Sequence, residues 1–395
     1  MGPNALLVPA VNPRHVRRLT ACMVPVALLA SLALAGRAEA APVVECGATL
    51  TVDTTLTRDL TCTSGDGVIL GPNVHLNLGG HKLVGPGSSG TGIASTGQGT
   101  LSVRNGEIRN WGTGIHVETD FGDGVPDPSV TDVVLRRAPV LMQFAPALAL
   151  SRVTAIDSPV RGELGGTLRI AGSKLVRSSV SVFYASASIV RSRLVASTVS
   201  SSASGMLTID RSSLDGRHTA RLGDVSETII TITNSVVKNY KDPISGFWGG
   251  ATLTNNVFTD MHHGVLGNIS YGLGSEGTAT VTGNVFTRSG VVLDPHIPMI
   301  LENNRFTDNA AGAVFNVSTI FGDPAPPGRA VNNVLVKNRG TGIQSEIPGL
   351  LVGGNVAKKN AGYGIYAPGA IDLGGNVAYG NKLGQCVGVV CSGRK

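Results

Sequence analysis

The chain has 395 residues, 53 glycines, 15% charged and 4% aromatic residues, and a formal net charge of +6. So much glycine and so little charge exclude a helical bundle, and any core must rest on Val, Ile, Leu and Ala. No basic cluster with interleaved aromatics occurs, which argues against a nucleic-acid-binding surface.

Residues 1–40 read as an export signal. Arg14, Arg17 and Arg18 form a basic region, Met23 to Ala35 an apolar run, and Ala38-Glu39-Ala40 a cleavage site before Ala41. The run is short for a bilayer span and no later segment is apolar enough, so the domain from 41 to 395 is expected to be secreted and extracellular. Leu19-Thr20-Ala21-Cys22 precedes the apolar run, the wrong side for a lipid-attachment box. Four arginines and one glutamate leave with the signal, so the net charge falls from +6 to +3. That mild basicity suits an acidic substrate and a solvated surface equally.

Four cysteines remain, Cys46, Cys62, Cys386 and Cys391. An even count in an exported chain favours disulfides, and their positions favour local pairs, Cys46 with Cys62 and Cys386 with Cys391. A zinc site is the rival reading, without the Cys-x-x-Cys spacing that would support it.

Further along, "ETDFGDGVPDPSVTD" (118–132) contains Asp123-Gly124-Val125-Pro126-Asp127, which resembles the second half of an extracellular calcium loop. Thr119 and Phe121 stand where further acidic ligands belong, so an acidic turn is the simpler reading and calcium the alternative. No cofactor and no metal ligand are otherwise expected. Residues 165–260 are dense in Ser, Thr, Val and Ile, which favour strands. The serine-rich stretch 178–204 carries no nucleophile motif, and no phosphate loop occurs.

An internal repeat organises the chain. "LTNNVFTDM", "VTGNVFTRS", "LENNRFTDN", "AVNNVLVKN", "LVGGNVAKKN" and "LGGNVAYGN" place Asn256, Asn284, Asn304, Asn333, Asn355 and Asn376 in one column, with steps of 28, 20, 29, 22 and 21 residues. Upstream the column continues as Ser235, Ser212 and Ser192, and the repeat fades between about 120 and 190. A second phrase, GTGI or GYGI, recurs at 90, 112, 340 and 362. A unit of about 21 residues with short β-rich pieces and no amphipathic helix predicts one turn of a parallel β-solenoid, stacked at about 4.8 Å. The expected fold is all-β, a single-stranded solenoid of about 12–14 rungs. Asparagine suits such a column because its amide donates to one turn and accepts from the next, and it tolerates left-handed angles at a tight turn. The column is therefore architecture.

With "CGATLTVDTTLTRDLTC", "HLNLGGHKLVG" and the NN…GxGI turns, the chain resembles exported right-handed parallel β-helix proteins of the pectate-lyase-like superfamily. The resemblance covers residues 44 to 391. It implies a fold shared by pectate lyases, polygalacturonases, uronate epimerases, tail-spike adhesins and proteins of no known activity, so it does not by itself imply an enzyme. His81, in "LGGHKL", reads as structural.

The irregular rungs carry the candidate chemistry. The two long steps place extra residues near "YGLGSEG" (271–277) and "FGDPAPPG" (321–328), flanking the rung that bears Asp294-Pro295-His296. Asp260, Arg288 and Asp308, each four residues past a column asparagine, form an acid–arginine–acid series that is either a surface ladder or one wall of a groove. His262 and His263 follow Asp260. Phe247 and Trp248 lie in "SGFWGG", where an exposed Trp would stack on sugar rings and a buried one would plug the interior.

Asp294-Pro295-His296 resembles the Asp-Pro-His of mannuronan C5-epimerases, where a preceding tyrosine and the histidine serve in proton transfer. Val291, Val292 and Leu293 replace that family's Tyr-Gly-Phe. The chemistry so implied needs a cation on a uronate carboxylate and a base near the adjacent proton. Catalytic roles are expected for His296, Asp294, Arg288 and His263, with substrate contacts from Asp260, His262, Asp308 and Trp248. The sequence leaves two readings open: a lyase or C5-epimerase acting on an extracellular polysaccharide, and a non-catalytic adhesive or structural β-helix of the cell envelope.

Overall fold

A computed structural model describes residues 43–95, 101–118, 127–203, 205–226, 228–242, 244, 250–266, 278–289, 291–293, 299–315 and 328–393. The expected signal segment, Asp294, His296, Trp248, the 271–277 loop, most of the 321–328 loop and residues 119–126 of the acidic turn lie outside these residues.

Every paired strand runs parallel to its partner, and each pairs with the equivalent strand about one repeat away. The result is a solenoid of about 13 turns with no helix among the described residues. Two faces run the length of the coil. They share the long strands Ser102–Arg109 and Ser129–Arg136, each of which pairs with strands of both faces. The third face consists of a nine-stranded sheet upstream and a five-stranded sheet downstream. The GTGI and GYGI phrases enter this third face, at strands Thr91–Ser95, Thr113–Glu118, Ile343–Ser345 and Tyr363–Tyr366.

Period-two alternation fills the interior. In Ala251–Thr254, Ala251 and Leu253 are buried while both threonines face outward. Because the register is one residue against its equivalent, identical positions stack: Phe258, Phe286 and Phe306 lie ring over ring with centroids 5.2 and 4.7 Å apart. Burying each large side chain contributes roughly 1.5–3 kcal/mol.

The asparagine column is a continuous hydrogen-bonded ladder. Each column residue's backbone N–H donates to the side-chain oxygen of the next: Ser173 to Ser192 and Ser192 to Ser212 (both 3.1 Å), Ser235 to Asn256 (2.9 Å), Asn256 to Asn284 (2.8 Å), and on to Asn376. The asparagines add a side-chain rung, and Nδ2 of Asn304 also reaches Val281 O at 2.7 Å. Buried backbone groups at these corners are thereby satisfied without water.

One detail differs from expectation. The left-handed angle belongs to the residue before the column: Asn255, Asn303 and Asn332 have φ of 56–57°, and Gly283, Gly354 and Gly375 take the same place. This accounts for the Asn-Asn and Gly-Asn doublets, in which the first residue turns the chain and the second pairs. Gly283 has a second reason to lack a side chain, since a Cβ would run into Oδ1 of Asn255.

A second ladder, unread in the sequence, stands five residues on. Ser289, Asn309, Asn338, Asn360 and Asn381 repeat the pattern, as do Ser158, Ser178 and Ser197 upstream. Both ladders end on acceptors from the last turn: Asn376 Nδ2 donates to Asp372 Oδ1 (3.1 Å) and Asn381 Nδ2 to Gln385 Oε1 (2.9 Å). The N–H groups of Val390 and Gly374 also bind Asp372 and hold its carboxyl below the usual aspartate range. The cysteines pair locally as expected, Cys46 with Cys62 and Cys386 with Cys391.

Candidate functional site

Between the second and third faces the chain turns through another left-handed position. Asp260, Arg288 and Asp308 occupy it on successive rungs with φ of 54°, 50° and 56°. For L-residues that conformation costs roughly 1–2 kcal/mol. The freed N–H of each donates to the next rung, Asp260 to Thr287 O (3.1 Å) and Asp308 to Val336 O (3.2 Å).

Arg288 grips Asp260 with both arms of its guanidinium, Nε to Oδ1 and Nη2 to Oδ2, the latter at 2.7 Å. This pairing lowers the Asp260 carboxyl and raises Arg288, and Asp308 adds a smaller attraction to Arg288. The same two-armed pair recurs at Asp157–Arg177 and Asp132–Arg152, each with contacts of 2.6 and 2.7 Å. Asp260–Arg288 is thus one instance of a recurring staple between rungs.

His262 and His263 follow on the turn, edge to face with centroids 4.5 Å apart. Nδ1 of His263 lies 3.4 Å from Asp242 Oδ1, and Arg221 holds the other oxygen of that carboxylate at 3.0 Å. Tyr240, nearby in sequence, is fully buried; its hydroxyl donates to Ser197 O, and burial pushes its pKa up.

These turns differ in length, and the difference makes a hollow. Val291 enters its strand two residues after Ser289, whereas Ala313 enters four after Asn309 and Ile343 five after Asn338. A cavity of about 180 Å³ results, lined by His262, His263, Arg288, Ser289, Ala311 and Arg339. Small Ala310 and Ala311 keep it open. Arg339 projects a guanidinium with no ion-pair or hydrogen-bond partner among the described residues; only its backbone N–H is engaged, by Asn309 O at 2.8 Å.

The structure therefore brings together three of the expected site residues, His262, His263 and Arg288, and places Asp260 against Arg288. Asp308 sits on the next rung without an ion pair among the described residues. Sequence reasoning missed Arg339 because it belongs to no motif. Its signal was the second column, since Arg339 follows Asn338 as His262 follows Met261.

Chemically, a guanidinium without a partner among the described residues, lining one cavity with two imidazoles, suits a carboxylate, which it can hold with two parallel hydrogen bonds. His263, with Nδ1 toward Asp242, has Nε2 left to accept a proton. No grouping of three or more His, Cys, Asp or Glu that could hold a metal ion occurs among the described residues. Asp127, at the end of the acidic turn, pairs with Arg169.

Compared with known families, residues 197–383 match the model described as the right handed beta helix region. The chain carries a right-handed parallel β-helix. The matched span contains both the downstream ladders and the His262–Arg339 hollow. A comparison with curated proteins finds no match.

Proposed function

We propose that this chain is an exported β-helix that binds an acidic, uronate-containing extracellular polysaccharide at the His262–Arg339 hollow and processes it there. The observation that carries the reading is the guanidinium of Arg339, without an ion-pair or hydrogen-bond partner among the described residues, lining one hollow with two histidines on a rigid scaffold. The basic region, apolar run and cleavage site in residues 1–40 support export. The likeness to pectate-lyase-like proteins and the Asp-Pro-His phrase support uronate chemistry.

In this reading Arg339 takes the sugar carboxylate and draws charge from the adjacent carbon. His263 removes the proton from that carbon. Return of a proton to the opposite face gives the C5 epimer. Expulsion of the β-glycosidic oxygen, with that oxygen protonated as it leaves, gives an unsaturated sugar end. Asp260 and Arg288 hold the wall of the hollow.

One observation favours the non-catalytic alternative, an adhesive β-helix of the envelope. Arg288 is committed to Asp260 in a pair that recurs away from the hollow, as scaffold pairs do. Incubation with a panel of polyuronates separates the two. Rising ultraviolet absorbance reports unsaturated ends and proton NMR reports epimerised residues. Binding with neither change selects the adhesive reading, and absence of binding overturns both.

A further inference from the structure

The hollow has a counterpart upstream on the same corner. A cavity of about 560 Å³ is lined by Ser88, Asn110, Trp111, Arg137, Pro139 and Asp157, among others. It arises in the same way, where the turn into the third face shortens. Ile115, the register partner of Val140, stands four residues after Trp111, whereas Val140 and Val160 stand only two after Ala138 and Ser158.

Its arginine also matches. Arg137 occupies the left-handed column position of Arg288, with φ of 48°. Unlike Arg288 it has no carboxylate to itself, because both oxygens of the neighbouring Asp157 are taken by Arg177. Among the described residues the guanidinium of Arg137 makes no side-chain hydrogen bond and feels only a minor attraction from Asp157, whose carboxylate Arg177 holds. Beneath it the buried Trp111 anchors the floor by donating from Nε1 to Leu83 O at 3.3 Å. A guanidinium that makes no side-chain hydrogen bond among the described residues, the Ser88 hydroxyl, an amide side chain and an indole floor together fit a hydroxylated ring bearing a carboxylate.

We infer that this cavity is a second acidic-sugar subsite, so that one polyuronate chain lies along the corner and engages Arg137 and Arg339 together. The inference rests on the polysaccharide reading above. The ladder N–H bonds count nine rungs from Arg137 to the turn that carries Arg339, a span of roughly 43 Å at strand spacing. Two linked contacts at that distance raise affinity for chains long enough to bridge them.

The test uses Trp111 as its own reporter. The chain has two tryptophans, so in a Trp248→Phe background Trp111 emission reads this cavity alone. Short oligouronides are expected to change that emission, and Arg137→Ala to weaken the titration about tenfold or more. Arg137→Gln repeats the test if the alanine variant does not fold. Arg339→Ala is expected to leave the short-oligomer signal in place and to remove the extra affinity of oligomers longer than the span. The inference is overturned if Trp111 emission does not respond, if Arg137→Ala and Arg137→Gln titrate like the parent, or if neutral oligosaccharides of equal length titrate as well as acidic ones. If the Trp111 response survives while Arg339→Ala changes nothing, the downstream hollow fails and this subsite stands.

Discussion

Oδ1 of Asn304 accepts two hydrogen bonds from Asn284, one from its backbone N–H at 2.9 Å and one from its Nδ2 at 3.1 Å. Both residues are buried, so no water can substitute for either bond. The ladder is therefore a sequence of obligations, each side chain closing the backbone of the rung before it.

Removing one rung should expose that dependence. Asn304→Ala leaves the Asn284 N–H and the Val281 carbonyl without their side-chain partners, and is expected to cost about 2–4 kcal/mol. Asn304→Ser should cost roughly half as much, because a serine oxygen still accepts the N–H, as Ser235 does for Ser212. Urea unfolding midpoints rank the two variants, and equal losses would show that the accepted N–H is not what matters.

The disulfides should contribute unequally. Cys46 and Cys62 are 16 residues apart, Cys386 and Cys391 only 5. Loop-closure entropy gives about 3 kcal/mol for the first and about 2 kcal/mol for the second. Replacing each pair by serines and comparing thermal midpoints checks the order.

Asp372 sets an acid limit on the C-terminal end. Its folded-state carboxyl is depressed below the ordinary value of about 3.9. Its stabilisation is thus fully present above that value and is lost as pH falls through the folded-state one. Asp372→Asn should lower the thermal midpoint at neutral pH, and the gap to the parent should narrow steadily below about pH 4. A gap that is constant with pH would contradict the assignment.

Much of the fold was legible because the solenoid repeats its needs. Asn256 to Asn376 announced the ladder, Ser192 to Ser235 its weaker upstream form, and the cysteines their local pairing. The second ladder was equally present, in the asparagine five residues after each column asparagine from 304 onward, but lay hidden among Lys, Asp and Gly. Between 129 and 190 the rungs repeat at nineteen or twenty residues, yet their corners hold Val153, Ser158 and Ser173 in place of asparagine, so the eye finds no phrase. The site was less legible. Charged residues in one column suggested a wall, and Asp260 and Arg288 do pair. The hollow itself depends on turn lengths relative to neighbouring rungs, which no single motif records, and Arg339 lines it from two rungs past Arg288.

The most direct test of the account is calorimetric titration of an oligouronide into the parent protein and Arg339→Ala, with a neutral oligosaccharide of the same length as control. The account predicts binding of the acidic oligomer alone, weakened about tenfold to a hundredfold by loss of one charge-assisted contact. Unchanged affinity in Arg339→Ala, or equal affinity for the neutral oligomer, would contradict it.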